Sequence, residues 1–258
     1  MNGQAYQLSR LVAYVRHFLK SGEIKDFPLL DYENLILTFI PQRKLFSGNS
    51  PYECHIVKNW LLELKKRHVK DIFLLINYSD NDPALAGFAN AEAQYIVTIY
   101  ENKAVTYWVP NWEYDRETKT WTIYYHEKES RNAPQNRPIF DNPTTDFKKV
   151  LVDIEELAKT LGYGNFAQIF HEAYELLDSS APPTIPEWMR NTIFTLDAVS
   201  LKLFLAASTA DVFGGMGSWN DSPAYDAHTK GLDDKYQRLS DELYTQIKKA
   251  IMYAANNS

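Results

Sequence analysis

Tyr95-Ile96-Val97-Thr98-Ile99-Tyr100, Val105-Thr106-Tyr107-Trp108-Val109 and Trp121-Thr122-Ile123-Tyr124-Tyr125 are the three runs that decide the fold. β-branched and aromatic residues dominate them, and the pattern between residues 92 and 127 has a period of two, the signature of strands. The links Glu101-Asn102-Lys103 and Asp115-Arg116-Glu117-Thr118-Lys119 are short and polar, which favours an antiparallel meander. Pro110 is expected to end the second strand, because proline has no backbone donor. Alternation sends aromatic residues to both faces, with Tyr107 opposing Trp108 and Tyr124 opposing Tyr125. One face must pack on helices. The other either packs on the C-terminal helices or is exposed for recognition, and the rarity of large exposed apolar patches on monomers favours the closed arrangement.

Upstream of these runs, Leu8, Leu11, Val12, Val15 and Leu19 follow helical spacing and predict an amphipathic helix over 4–20, stopped by Gly22. The apolar run Asn34 to Ile40 fits a strand and a buried helix equally, and Ser47 to Pro51 is a loop. Ile56, Val57, Trp60, Leu61 and Leu64 form the stripe of a second helix. Asp71 to Asn77 reads as a buried strand closed by the turn Ser79 to Pro83. Downstream, 128–145 is a proline-containing connection, and everything after it reads as helical. Helices are expected over 146–162, over Phe166 to Leu177 with a capping box from Asn165 to Gln168, over 195–213 and over 233–254. The linker Asp178 to Pro183 separates the second and third of these. The fold class expected is α+β: a helix-flanked antiparallel sheet over 1–145, followed by an acidic helical bundle over 146–258.

Composition narrows the function classes. With 45% hydrophobic residues among 258, the chain can bury a core, so disorder throughout is excluded. The single cysteine, Cys54, cannot form an internal disulfide. The net charge of −6 is uneven: residues 1–150 carry +1 and residues 151–258 carry −7. An acidic half repels phosphate backbones and attracts cationic surfaces, which argues against nucleic acid. The most apolar window, Phe194 to Phe213, contains Asp197, Lys202 and Asp211, too much charge for a membrane span. The start Met1-Asn2-Gly3-Gln4 lacks the basic and apolar blocks of a secretory leader, so a cytoplasmic location is expected.

The segment Phe213-Gly214-Gly215-Met216-Gly217-Ser218-Trp219-Asn220-Asp221-Ser222-Pro223 is the most unusual in the chain. It has a structural reading. Glycine ends one helix in a left-handed conformation, Asp221 or Ser222 caps the next, Pro223 opens it, and Trp219 fills the space between helices. It also has a functional one. Gly215 and Gly217 bring backbone donors to the surface, and Ser218, Asn220 and Asp221 surround Trp219 with polar groups, a pattern suited to binding. The lysine of a phosphate loop and the second glycine of a nucleophile elbow are both missing. Asp211, in the last turn of the preceding helix, opposes its dipole; a solvent-facing side chain tolerates that cost, which is the stronger reading, and a nearby cation would relieve it.

Gly215, Met216, Gly217, Ser218, Asn220 and Asp221 resemble the segment GMGS-[aromatic or aliphatic]-ND found between two helices in an uncharacterised family of bacterial cytosolic proteins. The helices Phe166–Leu177 and Tyr236–Ile247 fit that pattern as well. The resemblance covers 151–258 and not the aromatic sheet; it implies a bacterial origin and no particular chemistry.

Other constellations are weaker. His171 and Glu175 lie four apart on one helix face, with Gln168 and Glu172, and could share a metal, yet a solvated face is the stronger reading. Cys54 and His55 are adjacent and cannot serve each other as nucleophile and base. Glu113 and Asp115 share one strand face at a spacing compatible with paired carboxylates, although acids flanking polar turns are common. Trp108, Trp112 and Trp121 could form an aromatic recognition surface. The expected function is a non-enzymatic binding protein without a cofactor, engaging a cationic protein partner in a bacterial immunity-type role. A metal-dependent hydrolase built on Asp211, Ser218, Asn220, Asp221 and His228 is the first alternative, and carbohydrate binding on Trp108, Trp112 and Trp121 is the second.

Overall fold

The alternating runs become the centre of a six-stranded sheet in the computed structural model, which describes residues 3–30, 33–41, 51–77, 83–129, 137–190 and 196–257. The chain runs through α1 (Gly3–Ser21), β1 (Glu33–Phe39), β2 (Tyr52–Cys54), α2 (Val57–Lys66), β3 (Val69–Ile76), β4 (Gln94–Tyr100), β5 (Val105–Asp115) and β6 (Thr120–Glu129). It continues through α3 (Thr144–Leu161), α4 (Gly164–Asp178), the single turn α5 (Glu187–Arg190), α6 (Ala198–Ala210), α7 (Ser222–Thr229) and α8 (Asp233–Asn257). Two compact units result. One comprises Leu11–Leu75 and Gln94–Ile139; the other comprises Met1–Arg10, Ile76–Ala93 and Phe140–Ser258.

In the sheet unit the strand order is β2-β1-β6-β5-β4-β3. The expected meander is present, with Ile96 opposite Trp108 and Trp112 opposite Ile123 in antiparallel register. The sheet as a whole is mixed, which corrects the purely antiparallel expectation: β1 runs parallel to β6, with Leu35 beside Ile123 and Leu37 beside Tyr125. A second correction concerns Pro110, which lies inside β5 opposite Tyr125. Past Trp108 the β5 register is held by β6 alone, so one side of the strand needs no donors there.

One face of the sheet is a buried, largely apolar core. Leu35, Leu37, Phe39, Ile96, Trp108, Ile123 and Tyr125 are buried on it. Trp60 of α2 meets Trp108 edge to face at 5.4 Å, and Phe39 meets it at 4.8 Å. Ile56, expected on the buried stripe of α2, is instead its exposed N-cap. Glu127 occupies an inward position of β6, where it accepts bonds from the Tyr100 hydroxyl, from Thr106 Oγ1 at 2.8 Å and from the Ile40 amide at 3.0 Å. Arg67, 3.7 Å from Glu127, adds the countercharge. The second face is closed over β4, where Val97 and Ile99 are buried, and half-open over Tyr107, Val109 and Tyr124.

The helical unit contains a four-membered ring in which α3 packs on α4, α4 on α6, α6 on α8 and α8 on α3. The predicted stripe of α3, from Phe147 to Leu161, forms its core with Phe166, Phe170 and Ala173 of α4. Asn165 does not cap α4: the helix begins at Gly164, and the N-cap Tyr163 makes no side-chain cap bond. The cap that does form is on α6, where Asp197 accepts from the Ser200 amide at 2.7 Å. α1 is buried on every side from Gln4 to Arg16, not along one stripe. Two of its buried polar residues are served differently: Ser9 donates to the Ala5 carbonyl one turn back at 2.7 Å, and Arg16 pairs with Asp71 of β3 at 3.1 Å.

Candidate functional site

The segment 211–222 joins α6 to α7 and seals one end of the four-helix ring. α6 stops at Asp211, which serves as its C-cap with φ −77°, so no left-handed glycine ends that helix. Trp219 then drops into the ring and is fully buried. Its indole meets Phe166 and Phe170 of α4 edge to face at 5.4 and 5.3 Å and stacks on Tyr236 of α8 at 5.4 Å. Nε1 donates to Ser240 Oγ at 2.9 Å, and the Trp219 carbonyl accepts from the Tyr236 hydroxyl at 2.7 Å. Because α4 and α8 are not neighbours in the ring, Trp219 ties its diagonal. Burial pushes the Tyr236 phenol up to about 12.

The polar side chains of the segment fold it rather than offer themselves to a ligand. Asn220 Oδ1 accepts from the Gly214 amide at 3.0 Å and from Ser218 Oγ at 2.6 Å, and its Nδ2 donates to the Pro83 carbonyl at 3.3 Å. Asp221 does not cap α7 with its side chain; its Oδ2 accepts from the Gly217 amide at 2.8 Å. Gly217 holds φ +79°, a left-handed value that permits this reversal at no side-chain cost. Gly215, Met216 and Gly217 are exposed, and Met216 is 99% exposed at the tip. Tyr225, on the first turns of α7, is 70% exposed. The Asn220–Pro83 bond holds the 3-10 turn Pro83–Gly87 against the segment, and Phe88, which follows that turn, is 66% exposed. Large apolar side chains thus stand in solvent on elements that are bonded to one another.

The remaining predicted residues are dispersed. His228 is bound to Asp233 at 2.7 Å and Asp211 is half-buried. Among the described residues no group of three or more His, Cys, Asp or Glu converges as a metal site. Cys54 is buried at the end of β2, where desolvation raises its thiol, and His55 beside it is exposed. Glu113 accepts from Asn111, while Asp115 accepts from the Glu117 amide at 2.8 Å, which holds its carboxyl below the ordinary value; both serve the β5–β6 hairpin. Trp108 is fully buried beneath α2 and is removed from any recognition surface. Trp112 and Trp121 remain half-buried, meeting edge to face at 5.7 Å, with Tyr114 48% exposed beside them.

His171 and Glu175 do come together with other groups, in a groove of about 580 Å³. α4 supplies Gln168, His171, Glu172, Glu175 and Leu176, and the segment 179–184 supplies Ala181, Pro182 and Pro183 opposite. The sequence places Gln168, His171, Glu172 and Glu175 on one polar face of this helix but does not show the groove. The stripe at i, i+3, i+4, i+7 and i+8 was visible, whereas the return of the proline segment to face it was not. Comparison with protein-family models, with curated proteins and with solved structures finds no match for this chain. The resemblance of the glycine segment to a bacterial family therefore rests on its residues alone. Among the described residues, no helix is long and apolar enough to cross a membrane.

Proposed function

We propose that the chain is a protein-binding protein that engages its partner through the tip of the 213–222 segment. One observation carries the reading: the polar groups of the segment are bonded inside it, while Met216 stands almost wholly in solvent on a backbone they hold in place. A side chain presented this way loses little backbone freedom on docking, which favours affinity. An extended exposed apolar surface rimmed by polar residues marks a protein contact, and Met216, Tyr225 and Phe88 are all exposed. Asp221, Ser222 and Tyr225, which follow in the chain, are exposed as well, and the acidic C-terminal half adds attraction for a cationic partner. An immunity-type protein that masks a cationic toxin in a bacterial cytoplasm is the role that suits such a surface.

The other readings have less support. The hydrolase reading requires Ser218, Asn220 and Asp221 to be available, and all three are engaged within the segment. The carbohydrate reading retains Trp112 and Trp121, whose rings meet edge to face and form no flat platform. The test is direct binding of the purified chain to proteins encoded beside it, at low and at high salt. Association with one of them, strengthened at low salt, is expected; failure with all of them under both conditions would count against the reading.

A further inference from the structure

The polar face of α4 carries features that the loop reading does not use. The helix contains Glu172, Glu175 and Asp178 and no lysine or arginine. Two of these acids fall near its C-terminus, where the backbone already presents partial negative charge. In the groove, Glu172 accepts only from Gln168 Nε2 at 3.0 Å, and among the described residues neither Glu172 nor Glu175 has an ion pair. The nearby cations are committed elsewhere: Lys148 to Asp178, Lys202 to the Ser179 carbonyl, and Lys159 to Glu155 and Glu156. His171 is turned to Glu155 at 3.3 Å. The opposite wall, Ala181-Pro182-Pro183, is apolar and lacks two backbone donors, so it offers contact area without competing for the carboxylates.

We infer that this groove docks an extended basic segment of a protein partner, with lysine or arginine side chains on Glu172 and Glu175 and apolar neighbours against Leu176 and the two prolines. Charge complementarity selects the occupant. The wall bears uncompensated carboxylates, and a volume of about 580 Å³ accommodates a few side chains, not a folded domain. The inference extends the protein-binding reading to a second surface, on the opposite side of α4 from Phe166 and Phe170, which hold Trp219.

The test is a fluorescence-anisotropy titration of the full chain with a short labelled peptide in which lysine and arginine alternate with leucine and proline. A second peptide carries glutamate in place of each basic residue. The basic peptide binds at low salt, and the acidic one does not. E172Q/E175Q weakens binding about tenfold or more, as expected for loss of paired charges. Ala181→Trp, which fills the groove without changing charge, weakens it comparably. E101Q/E117Q, the same charge change in exposed turns of the sheet unit, leaves affinity within about twofold. Absence of binding to the wild-type chain, or equal losses in E172Q/E175Q and E101Q/E117Q, overturns the inference. Met216→Ser leaves peptide affinity unchanged, so failure of the groove and failure of the loop reading are read separately.

Discussion

The Asp221 carboxylate reaches back to the Gly217 amide at 2.8 Å instead of capping the helix it precedes. This bond closes the turn that carries Met216 into solvent, and it requires the left-handed backbone of Gly217. Gly217→Ala should therefore destabilise the chain by about 1–2 kcal/mol, although a Cβ there would meet nothing within 4 Å. Gly215 has equal space and no positive φ, so Gly215→Ala should stay within about 0.5 kcal/mol of the parent. Urea denaturation of the two variants measures the difference.

Trp219 is the side chain that joins the segment to the bundle. Trp219→Ala should cost about 3–5 kcal/mol, because it opens a cavity between Phe166, Phe170 and Tyr236. Trp219→Phe keeps most of the volume but leaves Ser240 without its donor, and should cost less. Thermal unfolding should rank the parent above the Phe variant and the Phe variant above the Ala variant.

Alkaline pH should loosen the same contact. The Tyr236 phenol titrates near 12 when folded, against an ordinary 10.0, because burial disfavours the phenolate. The unfolded chain thus releases this proton first as pH rises. The contribution is full below pH 10 and falls away between about 10 and 12, to a total of roughly 3 kcal/mol. Tyr236→Phe should flatten that part of the stability profile, and denaturant midpoints taken across the range would show it.

Glu92 and Lys248 form an ion pair at 2.6 Å with both side chains under one-tenth exposed. The lysine also lies over the Tyr244 ring at 4.1 Å. Glu92→Ala should cost about 3–5 kcal/mol by stranding a buried charge. The double replacement Glu92→Leu with Lys248→Met should recover most of that loss, since a matched apolar pair avoids the desolvation cost. Chemical denaturation of the single and double variants separates these outcomes.

The meander, the helices of the C-terminal half and the filling role of Trp219 were legible because each rests on local periodicity or on one large apolar residue. The parallel pairing of β1 with β6 was not, because no turn links them and an apolar run of seven residues fits either element. Pro110 misled for a related reason: proline is excluded only where its donor is needed, and that depends on the neighbouring strand. Glu127 could have been noticed as an acid at an inward position after Ile123 and Tyr125, but its partners Tyr100 and Thr106 come from other strands. At the loop, the sequence shows polar residue types and leaves their use open. Only geometry distinguishes side chains that receive a ligand from side chains that hold a backbone.

The central claim is that Met216 is the contact point of the tip closed by the Asp221–Gly217 bond. The decisive measurement is the affinity of a neighbour-encoded partner for the parent chain and for Met216→Ser and Tyr225→Ser, each checked for native circular dichroism. A loss of about tenfold or more in Met216→Ser, with a smaller loss in Tyr225→Ser, is predicted. Binding by Met216→Ser as tight as that of the parent would contradict the account.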